Sequence, residues 1–332
     1  MSGIGTRDHR RERTMRQNRS AKSFWRSRWT GLILSIAFLA AGALSSAGAA
    51  PANQRTFSSP EQAADALAAA WRNGGREGLL AIFGPAGEKL VSSGDPVAER
   101  QAREKLASSY DEGHRLLTES EHRVVILLGK DEWPYPIPLI RGGAGWHFDV
   151  KAGAEQIIDR RIGRNELNTI QVCRAYVEAQ RDYAAKSALG DGSQEYAQKV
   201  VSSEGKRDGL YWRTAQGEED SPLGPLVAAA EAQGYGTASA EGQAPFHGYF
   251  YKILTRQGKY VPGGARNYIV NGHLTAGFAL VAFPAKYGDS GVMTFVVNQD
   301  GIVFEKNLGR NTAEIARHMT EYDPDKTWKI AP

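Results

Sequence analysis

The residues best suited to chemistry in this 332-residue chain are Gly288-Asp289-Ser290-Gly291. A serine framed in this way becomes a nucleophile when a histidine takes its proton, an aspartate orients that histidine, and backbone N–H groups receive the oxyanion. The surroundings do not supply that set. Val292 stands where a second glycine is expected, and no upstream histidine falls in a recognisable His-then-Asp order. An Asp-Ser pair between glycines, lying between two strand-like runs, is what a tight turn requires. A turn is therefore expected here.

Beyond residue 50 the histidines are His114, His122, His147, His247, His273 and His318. None forms an HxH or HExxH pair and none lies near a cysteine, so no metal or cofactor is read from them. His147 alternates with Trp146 and Phe148, which predicts an outward-facing residue on a strand. Cys173 is the only cysteine. It closes no internal disulfide, and its place beside Ile170 and Val177 in a helical stripe predicts a buried thiol. Gly263-Gly264 in VPGGARNY lacks the spacing and the Lys-Ser/Thr of a phosphate-binding loop, and reads as a plain loop.

Two groups of residues are candidates for ligand binding. Arg160, Arg161 and Arg164 sit among Glu155, Asp159 and Glu166. Opposite charges three or four residues apart stabilise a solvated helix face; paired arginines can also hold a carboxylate or phosphate. Tyr249 and Tyr251, with Phe250, Tyr260 and Tyr268 nearby, either pack in a core or present an aromatic platform for a glycan or protein partner.

The elements that must position these residues form an α+β pattern of two units, each of helices packed on an antiparallel sheet. In the first, residues 50–150, Ser59-Pro60-Glu61 starts a helix whose apolar face is Ala63, Leu67, Ala70 and Trp71. A second short helix over 79–83, a polar helix over 96–109, a strand over 123–129 and a hairpin of 135–141 with 145–150 follow. In the second, residues 151–332, a short helix over 155–162 is expected to break at Gly163-Arg164, with Asn165 capping a long one. A short helix over 194–203, a long connection over 204–242 with one helix at 225–233, and a four-stranded antiparallel meander (247–254, 277–283, 292–298, 302–306) come next. A closing helix over 311–319 precedes a tail holding Trp328.

Residues 1–49 read as a signal peptide. Nine Lys/Arg against two acids precede Trp29, an apolar run follows from Gly31 to Leu44, and Ala47-Gly48-Ala49 suits cleavage before Ala50. The apolar run is short for a retained anchor, so no membrane span is expected after cleavage. Either Met1 or Met15 could be the start. The whole chain is formally +4 with a pI near 9.0. Without the leader, 32 basic residues (41 less 9) face 35 acidic ones (37 less 2). The basic balance belongs to the leader, and nucleic-acid binding is not expected.

The block from Gly277 to Gly309, GFALVAFPAKYGDSGVMTFVVNQDGIVFEKNLG, resembles the C-terminal signature of a bacterial exported family, domain of unknown function 2950. Gly145-Trp146 to Asp149, and the run from Glu155 to Gln180 with Asp182-Tyr183 after it, extend the resemblance over nearly all of the chain beyond the leader. It implies export and carries no activity with it. The first unit is similar, at the level of fold, to cone-shaped domains of the nuclear-transport-factor-like type. The second resembles a pilin head in Ala179-Gln180, Tyr183, Gly248-Tyr249 and the Asp300-Gly301 turn, although polar Arg160 to Arg164 stands where a pilin helix would continue into an apolar anchor. The function expected is a non-catalytic binding or assembly module of the cell envelope, periplasmic or secreted, with a protein or glycan partner. The alternative is an envelope hydrolase with its site in the cleft between the units.

Overall fold

The computed structural model describes residues 53–332, apart from 188, 190, 191, 216 and 241; the leader expected over 1–49 lies outside the described residues. Ser59 caps α1 (Pro60–Ala69), its hydroxyl accepting from Gln62 N, with Pro60 at the first helical position. Proline fits there because its missing N–H would have no helical partner in any case. A wide turn, Ala70–Gly74, leads into α2 (Gly75–Phe83). Asp95 caps α3 (Pro96–Glu112), accepting from Ala98 N at 3.0 Å.

Strands β1 (His114–Ser120), β2 (Arg123–Leu128), β3 (Leu139–Gly142) and β4 (Gly145–Phe148) pair antiparallel in that order, with Trp133–Pro134 adding to β2. Leu67, Ile82, Phe83, Ile126, Leu128, Leu139 and Phe148 close the first core between helices and sheet. β1 was not legible as a strand, because six of its seven residues are exposed and mostly polar. His147 is buried, 3% exposed, and not outward-facing as its alternation implies. Both faces of β4 are covered at that point, so the period-2 rule loses its polar side.

The expected break at Gly163-Arg164 does not occur. α4 runs unbroken through 37 residues, Val150–Lys186, with Asp149 as its cap. One glycine inside a helix costs only about 1 kcal/mol, which flanking helix formers and packing at both ends of α4 offset. Asn165 is not a cap; it is buried and donates from Nδ2 to Ser290 O at 2.9 Å. Val150 and Ile157 pack on the first core, whereas Ile170, Cys173, Tyr176 and Val177 belong to the second. Among the described residues no helix is long and apolar enough to cross a membrane.

The short helix expected over 194–203 is also absent. Tyr196 bridges Leu274 and Val201 bridges Tyr211 in extended backbone, which suits the paired β-branched Val200 and Val201. After α5 (Gly224–Ala232) comes the second sheet: β5 (Tyr249–Leu254), β6 (Ala279–Pro284), β7 (Thr294–Asn298) and β8 (Phe304–Lys306), with α6 (Thr312–His318) before β9 (Lys329–Ile330). The order is β9-β8-β7-β6-β5, antiparallel throughout, so the tail adds a fifth strand to the expected meander. Gly301 N closes the turn on Asn298 O at 2.9 Å. Every residue of β6 and β7 is buried. Adjacent residues of β5 explain why: Tyr251 reaches Thr169 on α4 and Lys252 reaches Arg317 on α6. Neighbouring side chains of a strand point to opposite faces, so α4 and α6 cover the sheet from both sides. The fold is α+β, as expected.

Candidate functional site

Ser290 is 0% exposed, and its hydroxyl accepts from Lys286 N at 2.9 Å and lies 3.2 Å from Lys286 O. The run Lys286 to Gly291 is a turn closed by Gly288 N to Gly291 O at 2.9 Å. The serine is structural. Asp289, also buried, pairs through Oδ2 with Lys286 Nζ at 2.8 Å, while Lys89 Nζ stands 3.7 Å from Oδ1.

The arginine candidates separate. Arg160 lies over the Trp133 ring, 5.6 Å from its centroid. Arg161 donates to the carbonyls of Lys89 and Leu90 at 2.9 and 2.6 Å, and burial lowers its pKa. Its fork is spent on backbone carbonyls and is not open to an anion. Arg164 is exposed, and its charge lowers the pKa of Tyr235 and His247. Glu166 leaves the charge cluster altogether: its Oε1 accepts from Val292 N at 2.9 Å and Met293 N at 3.0 Å.

The aromatic candidates separate as well. Tyr249 is 0% exposed, and its hydroxyl donates to Met293 O at 3.0 Å. It is a core residue, as is Tyr268, rather than part of a platform. Their size and their satisfied hydroxyls favour that placement. Tyr251 is partly buried, with its hydroxyl 3.4 Å from both Thr169 Oγ1 and Phe246 O. Cys173 is fully buried, and burial pushes its thiol up to about 12. Among the described residues no group of three or more His, Cys, Asp or Glu is placed to hold a metal ion.

Two features escape a reading of the sequence. The first is a polar seam between the two cores. Asp95, 1% exposed, not only caps α3 but accepts from Tyr235 Oη at 3.0 Å and Gly248 N at 2.8 Å. Gln101 donates to Gln233 O at 2.6 Å beside it. His247 and Gly248 are the centre of a two-residue turn in which Phe246 and Tyr249 exchange backbone bonds at 2.8 and 3.1 Å. Both have positive φ, 51° and 78°, which is the type I′ geometry. A Cβ at Gly248 would also come within 2.5 Å of Asn165 Nδ2. The strand expected over 247–254 begins instead at Tyr249, because His247 and Gly248 form this turn.

The second is a groove of about 630 Å³ at the outer strand of the second sheet. Phe250, Tyr251, Lys252 and Ile253 line it from β5, with Phe283 behind them and Val200, Val201 and Gln243 across from them. Among the described residues its charged lining is Lys199, Lys252 and Arg317, with no acid. Lys199 is paired with Asp208 at 2.8 Å. Lys252 donates to Arg317 O at 2.5 Å and Met319 O at 2.8 Å, and burial lowers its pKa. A cavity of about 70 Å³, almost wholly apolar, lies behind Tyr251 beneath α5, lined by Val172, Leu223, Val227 and Phe246 among others. Cations and aromatics around an open groove can bind; they bring no base and nucleophile together.

An α+β protein with a structural serine turn and a cationic groove along a sheet edge is the class that the geometry defines. The chain matches the model of the family described as protein of unknown function DUF2950 over residues 54–331, and it belongs to that family. No curated protein and no solved structure matches it.

Proposed function

We propose that the protein is exported to the cell envelope, with its leader removed between Ala49 and Ala50, and works there as a non-catalytic binding or assembly module. The observation that carries this reading is the groove beside β5. Its lining joins Lys199, Lys252 and Arg317 to Phe250, Tyr251 and Ile253, without a carboxylate or thiol among the described residues. Arg164, exposed near the seam, and Arg160, exposed beside Trp133, are the candidate arginines still open to a ligand. The alternative, a hydrolase with its site between the two cores, draws support from His247 preceding Gly248, whose N–H donates to Asp95. Against it, Asp95 already accepts from three donors, and among the described residues the seam offers no free hydroxyl or thiol as nucleophile. A likeness of the second unit to a pilin head would leave the first turns of α4 packed on the first core, where no filament could use them.

Cell fractionation with N-terminal sequencing tests export: the expected product begins at Ala50 and is periplasmic or secreted. An uncleaved cytoplasmic chain would sink that part. Esters, phosphate esters and glycosides carrying a nitrophenol leaving group test catalysis. No turnover is expected; hydrolysis abolished by Asp95→Asn or His247→Asn would establish the hydrolase instead.

A further inference from the structure

We infer that the outer edge of β5 is a docking strand for an extended acidic peptide of another envelope protein, which adds to the second sheet as a further strand. This rests on the binding-module reading and gives the partner its chemistry.

In an antiparallel strand the N–H and C=O of one residue point to the same side, and those of the next residue to the other. Gly248 O accepts from Ala285 N at 2.9 Å, so the even-numbered residues face β6. Tyr249 exchanges both of its bonds with Phe246, so the odd-numbered residues face away. Tyr251 and Ile253 therefore direct their N–H and C=O groups to the open edge, and among the described residues those groups have no hydrogen-bond partner. The passing chain comes close at Gly242, where a Cβ would lie 2.7 Å from Tyr251 O. It covers the Tyr251 carbonyl, and the N–H and C=O of Ile253 have no hydrogen-bond partner among the described residues. Four consecutive residues of β5 line the groove. Since their side chains alternate between faces, the groove follows the edge of the sheet, and it reaches over the α6 side as far as Phe283.

The two sides of that edge differ. On the α4 side the lining is apolar, from Tyr251, Ile253, Val200 and Val201. On the α6 side stand Lys252 and Arg317 beside Phe250 and Phe283, and the Arg317 guanidinium has no ion pair or hydrogen bond among the described residues. An incoming strand alternates in the same way, so it fits when acidic and apolar residues alternate along it. Backbone pairing then supplies affinity and alternate side chains supply specificity. The uncompensated cations also disfavour a second copy of this chain at the same edge, as charged edges generally do.

The test uses the secreted chain and a fluorescein-labelled hexapeptide alternating glutamate and valine, followed by fluorescence polarisation. Saturable binding is expected, with none for the lysine–valine counterpart. N-methylation of alternate amides on the peptide's pairing edge should weaken binding at least about tenfold, because it removes the strand bonds. Arg317→Glu should weaken it by about tenfold. Ile253→Pro, which deletes one outward N–H at an edge where proline is tolerated, should do the same with an unchanged circular dichroism spectrum. No saturable binding at millimolar peptide, or equal binding of the N-methylated form, overturns the assignment. Oligogalacturonate binding that is lost in Arg317→Glu, while the peptide fails to bind, overturns the peptide and leaves the binding module standing. Cleavage of the peptide would remove the module reading itself.

Discussion

His247 is the residue at which conformation and charge meet. Its φ of 51° places a side chain in the left-handed region, where asparagine is accepted far more readily than most residues. Burial lowers its pKa; Asp95 opposes that shift and Arg164 adds to it. Between the depressed folded-state pKa and about 6.5, the unfolded chain holds more protons than the folded one. Stability from this group is therefore fully present above about pH 6.5 and is lost as pH falls through the folded-state value. His147, whose pKa burial also lowers, adds to the same slope. His247→Asn should leave the urea midpoint near pH 7.5 unchanged or raised, and should reduce the loss between about pH 6.5 and pH 5 by the share that His247 carries. An unchanged acid slope would contradict the account. Nothing in the sequence marks this role, since Asp95 and Arg164 are distant in the chain and the turn alone brings them together. Ser290 is the opposite case, because its flanking glycines already identify a turn, and the structure adds only the partners of its hydroxyl.

At the scale of elements, α4 carries the clearest lesson. A break is expected at Gly163-Arg164 because glycine is a poor helix former, but φ at Gly163 is not positive and the helix continues. A Cβ built there meets nothing within 4 Å. Gly163→Ala should therefore stabilise the protein by about 0.5–1 kcal/mol, read from the urea midpoint. Gly153 lies in the same helix, and a Cβ there would run into the backbone carbonyl of Pro136. Gly153→Ala should destabilise by about 1–3 kcal/mol. A destabilising Gly163→Ala would restore the broken helix. The same contrast separates what was legible from what was not. β6, β7 and β8 announce themselves by hydrophobic runs between turn residues, since their surroundings ask only for apolar side chains. β1 is exposed and polar, and β9 is two residues long. Both are strands only because a neighbour supplies hydrogen bonds. The groove was legible only in part: Tyr251 was singled out for its type, whereas Lys252 and Arg317 become neighbours only when α6 packs on β5.

At the scale of the whole molecule, the question is whether two apolar cores make two folding units. Each is well closed: Ile126 and Leu139 are 0% exposed in one, Phe278 and Phe295 in the other. They nevertheless share α4, and the seam ties them with buried bonds from Asp95 to Tyr235 and Gly248. Opening either core alone would strand the Asp95 carboxylate without two of its donors, at a cost of about 1–3 kcal/mol for each buried group left unpaired. It would also uncover one half of α4. Those costs are large beside a typical net stability of about 5–15 kcal/mol, so the cores should unfold together. Calorimetry should show one transition whose calorimetric and van't Hoff enthalpies agree. Phe295→Ala, a truncation in the centre of the second core, should cost about 3–5 kcal/mol and move that single transition as a whole, including the signal of Trp71 in the first core. A Phe295→Ala protein that melts like the wild type would contradict the structural role of the second sheet. One that melts in two steps, with the first core holding to the higher temperature, would show that α4 and the seam do not couple the cores.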